Sequence, residues 1–135
     1  MYIDHIELAK DALNHMGRQD CLVDELDPHA PVELHFDAAP TIAFMPTEEG
    51  SIQLRARLSE QMGIPFNCNA TRIIEAIAAP ADWSSHRCLS LLDIDGHIYL
   101  VASVHVSFLR DGAVFSEALV EFYNRLVAIH KSFNG

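Results

Sequence analysis

Apolar and polar positions recur along this chain with two different periods, and the switches between them mark out its elements. Ile3, Ile6, Ala9, Leu13 and Met16 return at spacings of three and four, which predicts a first helix. Asp4, Glu7, Lys10, Asp11 and Asn14 occupy its other sides, and Gly17 is placed to end it in a left-handed C-cap. A polar, turn-rich stretch with Asp24, Glu25, Asp27 and Pro28 follows. The period then falls to two. Over residues 32–37, Val32, Leu34 and Phe36 point one way and Glu33, His35 and Asp37 the other. Pro40 is read as breaking that run. Residues 41–45 put Ile42 and Phe44 on one face. A turn cluster at residues 46–50 leads into residues 51–58. There Ile52, Leu54, Ala56 and Leu58 oppose Gln53, Arg55 and Arg57.

A second helix is predicted from Pro65, because proline's missing N–H is tolerated at the first helical position. Phe66, Ala70, Ile73, Ile74 and Ile77 follow helical spacing, and Pro80 stops it by forcing Ala79 out of the α region. Asp95-Gly96 is a strong type I′ hairpin signal. A two-residue turn sets the register: Ile94 opposite His97, Asp93 opposite Ile98, Leu92 opposite Tyr99 and Leu91 opposite Leu100. One face then collects Leu89, Leu91, Ile98, Leu100, Ala102 and Val104, and is read as core. The other collects Leu92, Tyr99 and Val101. A hairpin apolar on both faces needs cover on both, and few elements remain to supply it, so the second face points to a homodimer. The last segment is a long helix N-capped by Asp111, with Phe115, Ala118, Leu119, Phe122, Leu126, Ile129 and Phe133 as its stripe. The order α-β-β-β-α-β-β-α, without βαβ alternation, predicts an α+β class with an antiparallel sheet. The expectation is one domain over residues 1–135.

Composition changes this picture in one respect. Half the residues are hydrophobic and the mean hydropathy is +0.11, yet the net charge is −10. Apolar surface outside the core, kept soluble by self-repulsion, would reconcile the two. The same charge argues against nucleic acid and anionic membranes as partners. No cationic leader pattern and no run of ~20 apolar residues is present, so a cytoplasmic protein without membrane insertion is expected.

Candidate chemistry is thin. Eight histidines (His5, His15, His29, His35, His86, His97, His105 and His130) form no compact ligand spacing, and Asp93 to Gly96 reads as a turn rather than a calcium loop. Cys21, Cys68 and Cys88 lack CxxC spacing. There is no nucleophile elbow, and the six glycines stand singly, so no phosphate loop exists. Ser84, Ser85 and His86 are merely adjacent. The expectation is no catalytic residue, no metal and no cofactor. Trp83 fits two roles equally, a binding hot spot or a lid on the core.

Phe108-Leu109-Arg110-Asp111-Gly112 followed by Phe115, Leu119, Phe122-Tyr123 and Arg125 carries a resemblance. Leu26-Asp27-Pro28-His29 ahead of the first strand, and the amphipathic opening with Ile6, Leu8, Leu13 and Gly17, extend it. In these residues and over nearly its whole length the chain resembles the invasion protein B family of type III secretion chaperones, the class IB branch. Pro28, Pro31 and residues 59–69 and 79–87 depart from the pattern. The resemblance implies a bacterial, cytoplasmic homodimer that winds the extended N-terminal segment of one or more secreted effector proteins around itself. It also implies the secretion ATPase as the partner that drives release, and no ATP bound by the chaperone. Implied effector contacts are Ile3, Ile6, Leu13, Leu34, Phe36, Ile42, Phe44, Ile52 and Leu54. Implied dimer contacts are Ile73, Ile77, Leu92, Tyr99 and Val101. The residues by themselves leave two rivals: a small dimeric ligand-binding regulatory domain, and a small Cys or Asp/Glu–His hydrolase.

Overall fold

The computed structural model describes residues 4–18, 20, 31–65 and 67–134. The first helix, α1 (His5–Met16), is capped by Asp4, whose carboxylate accepts from the N–H groups of Ile6 and Glu7. Gly17 ends it at φ +68°, the left-handed cap its position predicts. The buried stripe is rotated from the predicted one. His5, Leu8, Ala9, Ala12 and Leu13 face inward, while Ile6 and Met16 sit on its rim. Ile3 lies outside the described residues, as does the 26–29 motif.

The strands are β1 (Val32–Phe36), β2 (Ala39–Pro46), β3 (Ile52–Arg57), β4 (Ser90–Ile94) and β5 (His97–Val104). They form one antiparallel sheet in the order β1-β2-β3-β5-β4. Pro40 does not break the run: it lies inside β2. The β1–β2 register shifts between Leu34 and Phe36, and the pairing of β2 with β3 begins only at Ala43. Pro40 therefore sits where the ladder is irregular, and its missing N–H costs nothing there. The β4–β5 register is the predicted one throughout, and Asp95 (φ +53°) and Gly96 (φ +87°) have the type I′ signs.

Helix α2 (Ala70–Ala78) starts five residues later than the Pro65 reading. Asn69 provides the cap, its side chain accepting from Arg72 N–H at 3.3 Å, and this outcompetes proline as a start. After β5, a single 3₁₀ turn (Val106–Phe108) leads to Asp111, the N-cap of α3 (Gly112–Phe133). All seven predicted stripe residues of α3 are buried.

Alternate residues of the sheet (Val32, Leu34, Ile42, Phe44, Ile52, Leu54, Ala56, Ile98, Leu100, Ala102 and Val104) join α1 and α3 in one core. Phe44 meets Phe115 edge-on at 5.2 Å and Trp83 meets Phe122 edge-on at 6.1 Å. Trp83 is thus a lid on the core. The carbonyl of Trp83 accepts from His105 N–H at 2.7 Å, which pins its loop to the end of β5. Among the described residues, no three His, Cys, Asp or Glu side chains could hold a metal ion. No described helix is long and apolar enough to cross a membrane.

Candidate functional site

With the core filled, the large apolar side chains left over are the informative ones. Helix α2 is the first source. Ile73 faces the core, but Ile74, one position on and about 100° around the helix, is 65 % exposed. Ile77 is half-buried. Ile73 and Ile77, about 40° apart on the helix, pack on the core, and α2 is seated so that Ile74 points away from it.

Strand β4 is the second source. It is an edge strand, and none of its residues is fully buried. Leu91 stands opposite Leu100 on the core side, yet it is exposed, as is Leu92 opposite Tyr99 on the far side. The sequence reading placed Leu91 in the core; its edge position leaves it uncovered. Leu89 N–H donates to Ile77 C=O at 3.1 Å, which joins the end of α2 to the start of β4. The exposed residues of α2 and β4 therefore belong to adjoining elements. Met62 and Ile64 are exposed on the β3–α2 connection, which is tied to the β4–β5 turn by Gly63 N–H to Gly96 C=O at 2.7 Å.

The predicted dimer residues separate on this basis. Ile77, Leu92 and Tyr99 retain surface. Ile73 and Val101 are buried. Val101 lies on the face that no helix covers, but its cross-strand neighbours are Ser90 and Arg55. Arg55 Nε donates to Gln53 Oε1 on the same face of β3, and an arginine stem covers apolar surface effectively.

A second surface runs along α1, β1 and α3. Phe36 packs on Tyr123 with ring centroids 4.8 Å apart, and the Arg18 guanidinium lies 5.8 Å from the Phe36 ring centre. Ile6, Met16, Phe36 and Tyr123 are all only partly buried against the core. β1 is paired only with β2 among the described residues, so its other edge carries open N–H and C=O groups. Of the predicted effector contacts, Ile6 and Phe36 belong to this surface. Leu13, Leu34, Ile42, Phe44, Ile52 and Leu54 do not: each is at most 1 % exposed and builds the core. Alternation identified the inward face of the sheet correctly, but an inward face covered by α3 is not a groove.

The comparisons with known proteins agree on one assignment. The model of the invasion protein B family matches residues 17–95. The Surface presentation of antigens protein SpaK of Salmonella typhimurium is 29 % identical over 131 residues, covering 97 % of this chain and 96 % of that protein. SpaK of Salmonella typhi matches equally. Among solved structures, the heterodimeric complex ExoU-SpcU from the type III secretion system of Pseudomonas aeruginosa contains a chain of similar fold. The TM-score is 0.53 at 21 % identity, over 89 % of each chain. The chain accordingly belongs to the invasion protein B family of type III secretion chaperones.

Proposed function

We infer that this protein is a homodimeric, non-catalytic chaperone of the bacterial cytoplasm that holds the N-terminal segment of one or more secreted effectors non-globular and ready for export. The observation that carries the reading is the apolar surplus. A completed core leaves Ile74, Leu91 and Leu92 outside it, on two adjoining elements of a strongly acidic chain. On this reading α2 and β4 form the dimer contact, with Ile74, Ile77, Leu91, Leu92 and Tyr99 at the surface and Ile73 and Val101 supporting them from beneath. The effector segment lies along α1 and β1, on Ile6 and Phe36, and Ile3 is a further contact proposed from the sequence alone. The open edge of β1 favours an added strand of effector, held by backbone pairing. The secretion ATPase would strip the segment at the export gate.

The test is co-purification with an effector N-terminal segment alongside sedimentation. Leu92→Asp is expected to give monomers. Ile6→Asp is expected to remain dimeric and lose the effector. A Leu92→Asp protein that stays fully dimeric removes the β4 contact. Undiminished capture by Ile6→Asp would reduce α1 to a core helix.

A further inference from the structure

Helix α2 has only nine residues, and Ile73 is its one fully buried side chain. Ile73 with the partly buried Ala76 and Ile77 is a small docking face, and a helix this short does not hold itself together. Its C-terminal carbonyls show what does. The last four C=O groups of a helix lack partners within it. Here Ala79 N–H closes onto Glu75 C=O at 3.0 Å, and Leu89 N–H reaches Ile77 C=O. Arg125 of α3 takes a third, Ala76, and the turn just beyond the helix: Nη1 donates to Ala76 C=O at 3.4 Å and to Ala79 C=O at 2.7 Å, while Nη2 donates to Pro80 C=O. Glu121, one turn earlier on α3, holds Nη2 at 2.7 Å. The Arg125 side chain is only 16 % exposed.

At the other end of α2, Asn69 N–H donates to Ser132 C=O at 2.8 Å. The two ties lie seven residues apart on α3, about 10.5 Å along its axis, against about 13.5 Å for the nine residues of α2. They grip α2 by its two ends, antiparallel to α3.

We propose that Arg125 is the positioning residue of the dimer contact: its guanidinium, locked by Glu121, sets the angle at which α2 presents Ile74 and Ile77. The cation suits the negative end of the helix, but charge alone is not enough. Three carbonyls and one carboxylate around one group need the planar fork of arginine, which a lysine ammonium cannot reproduce. Ile77 C=O holds β4 through Leu89, so a shift of α2 also moves Leu91 and Leu92. Arg125 thus governs a surface to which it contributes no apolar contact.

The inference rests on α2 lying in the dimer contact, and the experiment separates the two. Hydrogen exchange over residues 70–78 and the dimer dissociation constant are measured for Arg125→Met, Arg125→Lys and Ile74→Asp. Arg125→Met is expected to fold, to exchange faster in α2 than in the sheet, and to dimerise at least about tenfold more weakly, since several charge-assisted hydrogen bonds are lost together. Arg125→Lys is expected to fall between it and the unaltered protein. Should Arg125→Met fail to fold, Arg125→Lys carries the test. Unchanged α2 exchange and unchanged dimer affinity in the folded variant overturn the proposal. A dimeric Ile74→Asp protein instead overturns the α2 interface, while the exchange data still judge Arg125.

Discussion

Gly112 stands at the first position of α3, and its N–H donates to the Asp11 carboxylate of α1 at 2.9 Å. A Cβ at this glycine would lie 2.3 Å from Asp11 Oδ2 and 2.5 Å from its Cβ. The absent side chain is what lets the two helices meet. Gly112→Ala is therefore expected to destabilise the protein by about 1–3 kcal/mol, the usual cost of overpacking, measured by urea denaturation. Trp83 illustrates the other kind of residue. Sequence left it between a hot spot and a lid, because a loop tryptophan after a proline suits both. Its burial against Phe122 decides for the lid. Trp83→Ala should cost about 3–5 kcal/mol in the same assay. A small stability change with lost effector capture would instead restore the hot-spot role.

The elements whose local signals agree with their surroundings were legible. α3 has a cap, a stripe and a basic last turn that all point one way, and every stripe residue is buried. The β4–β5 register followed from two turn residues alone. Where a local signal met a stronger neighbour, the reading slipped. Pro65 resembles a helix start, but Asn69 both caps α2 and bonds to Ser132 of α3, a partner sixty-three residues away in the chain that no local window contains. Asn69→Ala is expected to cost about 1 kcal/mol and to speed hydrogen exchange across α2 first. Pro40 resembles a strand stop, but the irregular pairing of β1 with β2 makes room for it.

In the whole molecule, the combination of apolar surplus and net charge −10 has consequences beyond any one contact. An interface built from Ile74, Ile77, Leu91 and Leu92 is expected to keep or strengthen its dimer affinity when salt is raised from 0.1 to about 1 M, because screening weakens the repulsion between two acidic protomers and leaves apolar burial intact. A steep loss with salt in sedimentation would point to a contact made by charged groups instead. The charge itself should matter for solubility. Turbidity is expected to peak near pH 5, where the calculated isoelectric point of 5.0 leaves the apolar patches without repulsion.

Period and punctuation along the chain were enough to identify the α+β class, the order of elements, the hairpin register and the inward faces of β1, β2, β3 and α3. These depend on neighbours a few residues apart. Which apolar residues remain at the surface depends on cover by elements far away in the chain. Ile52 and Leu92 both sit on strands with apolar faces. One lies on the central strand and vanishes into the core; the other lies on an edge strand and stays outside. For the same reason the predicted effector contacts fell mostly on core residues, and Leu91, read as core, stayed exposed. In α2 the isoleucines at 73 and 74 stand only about 100° apart, close enough to share one buried stripe, so the sequence could not say which of them the rest of the molecule would leave outside; the packing of α2 covered Ile73 and left Ile74 exposed.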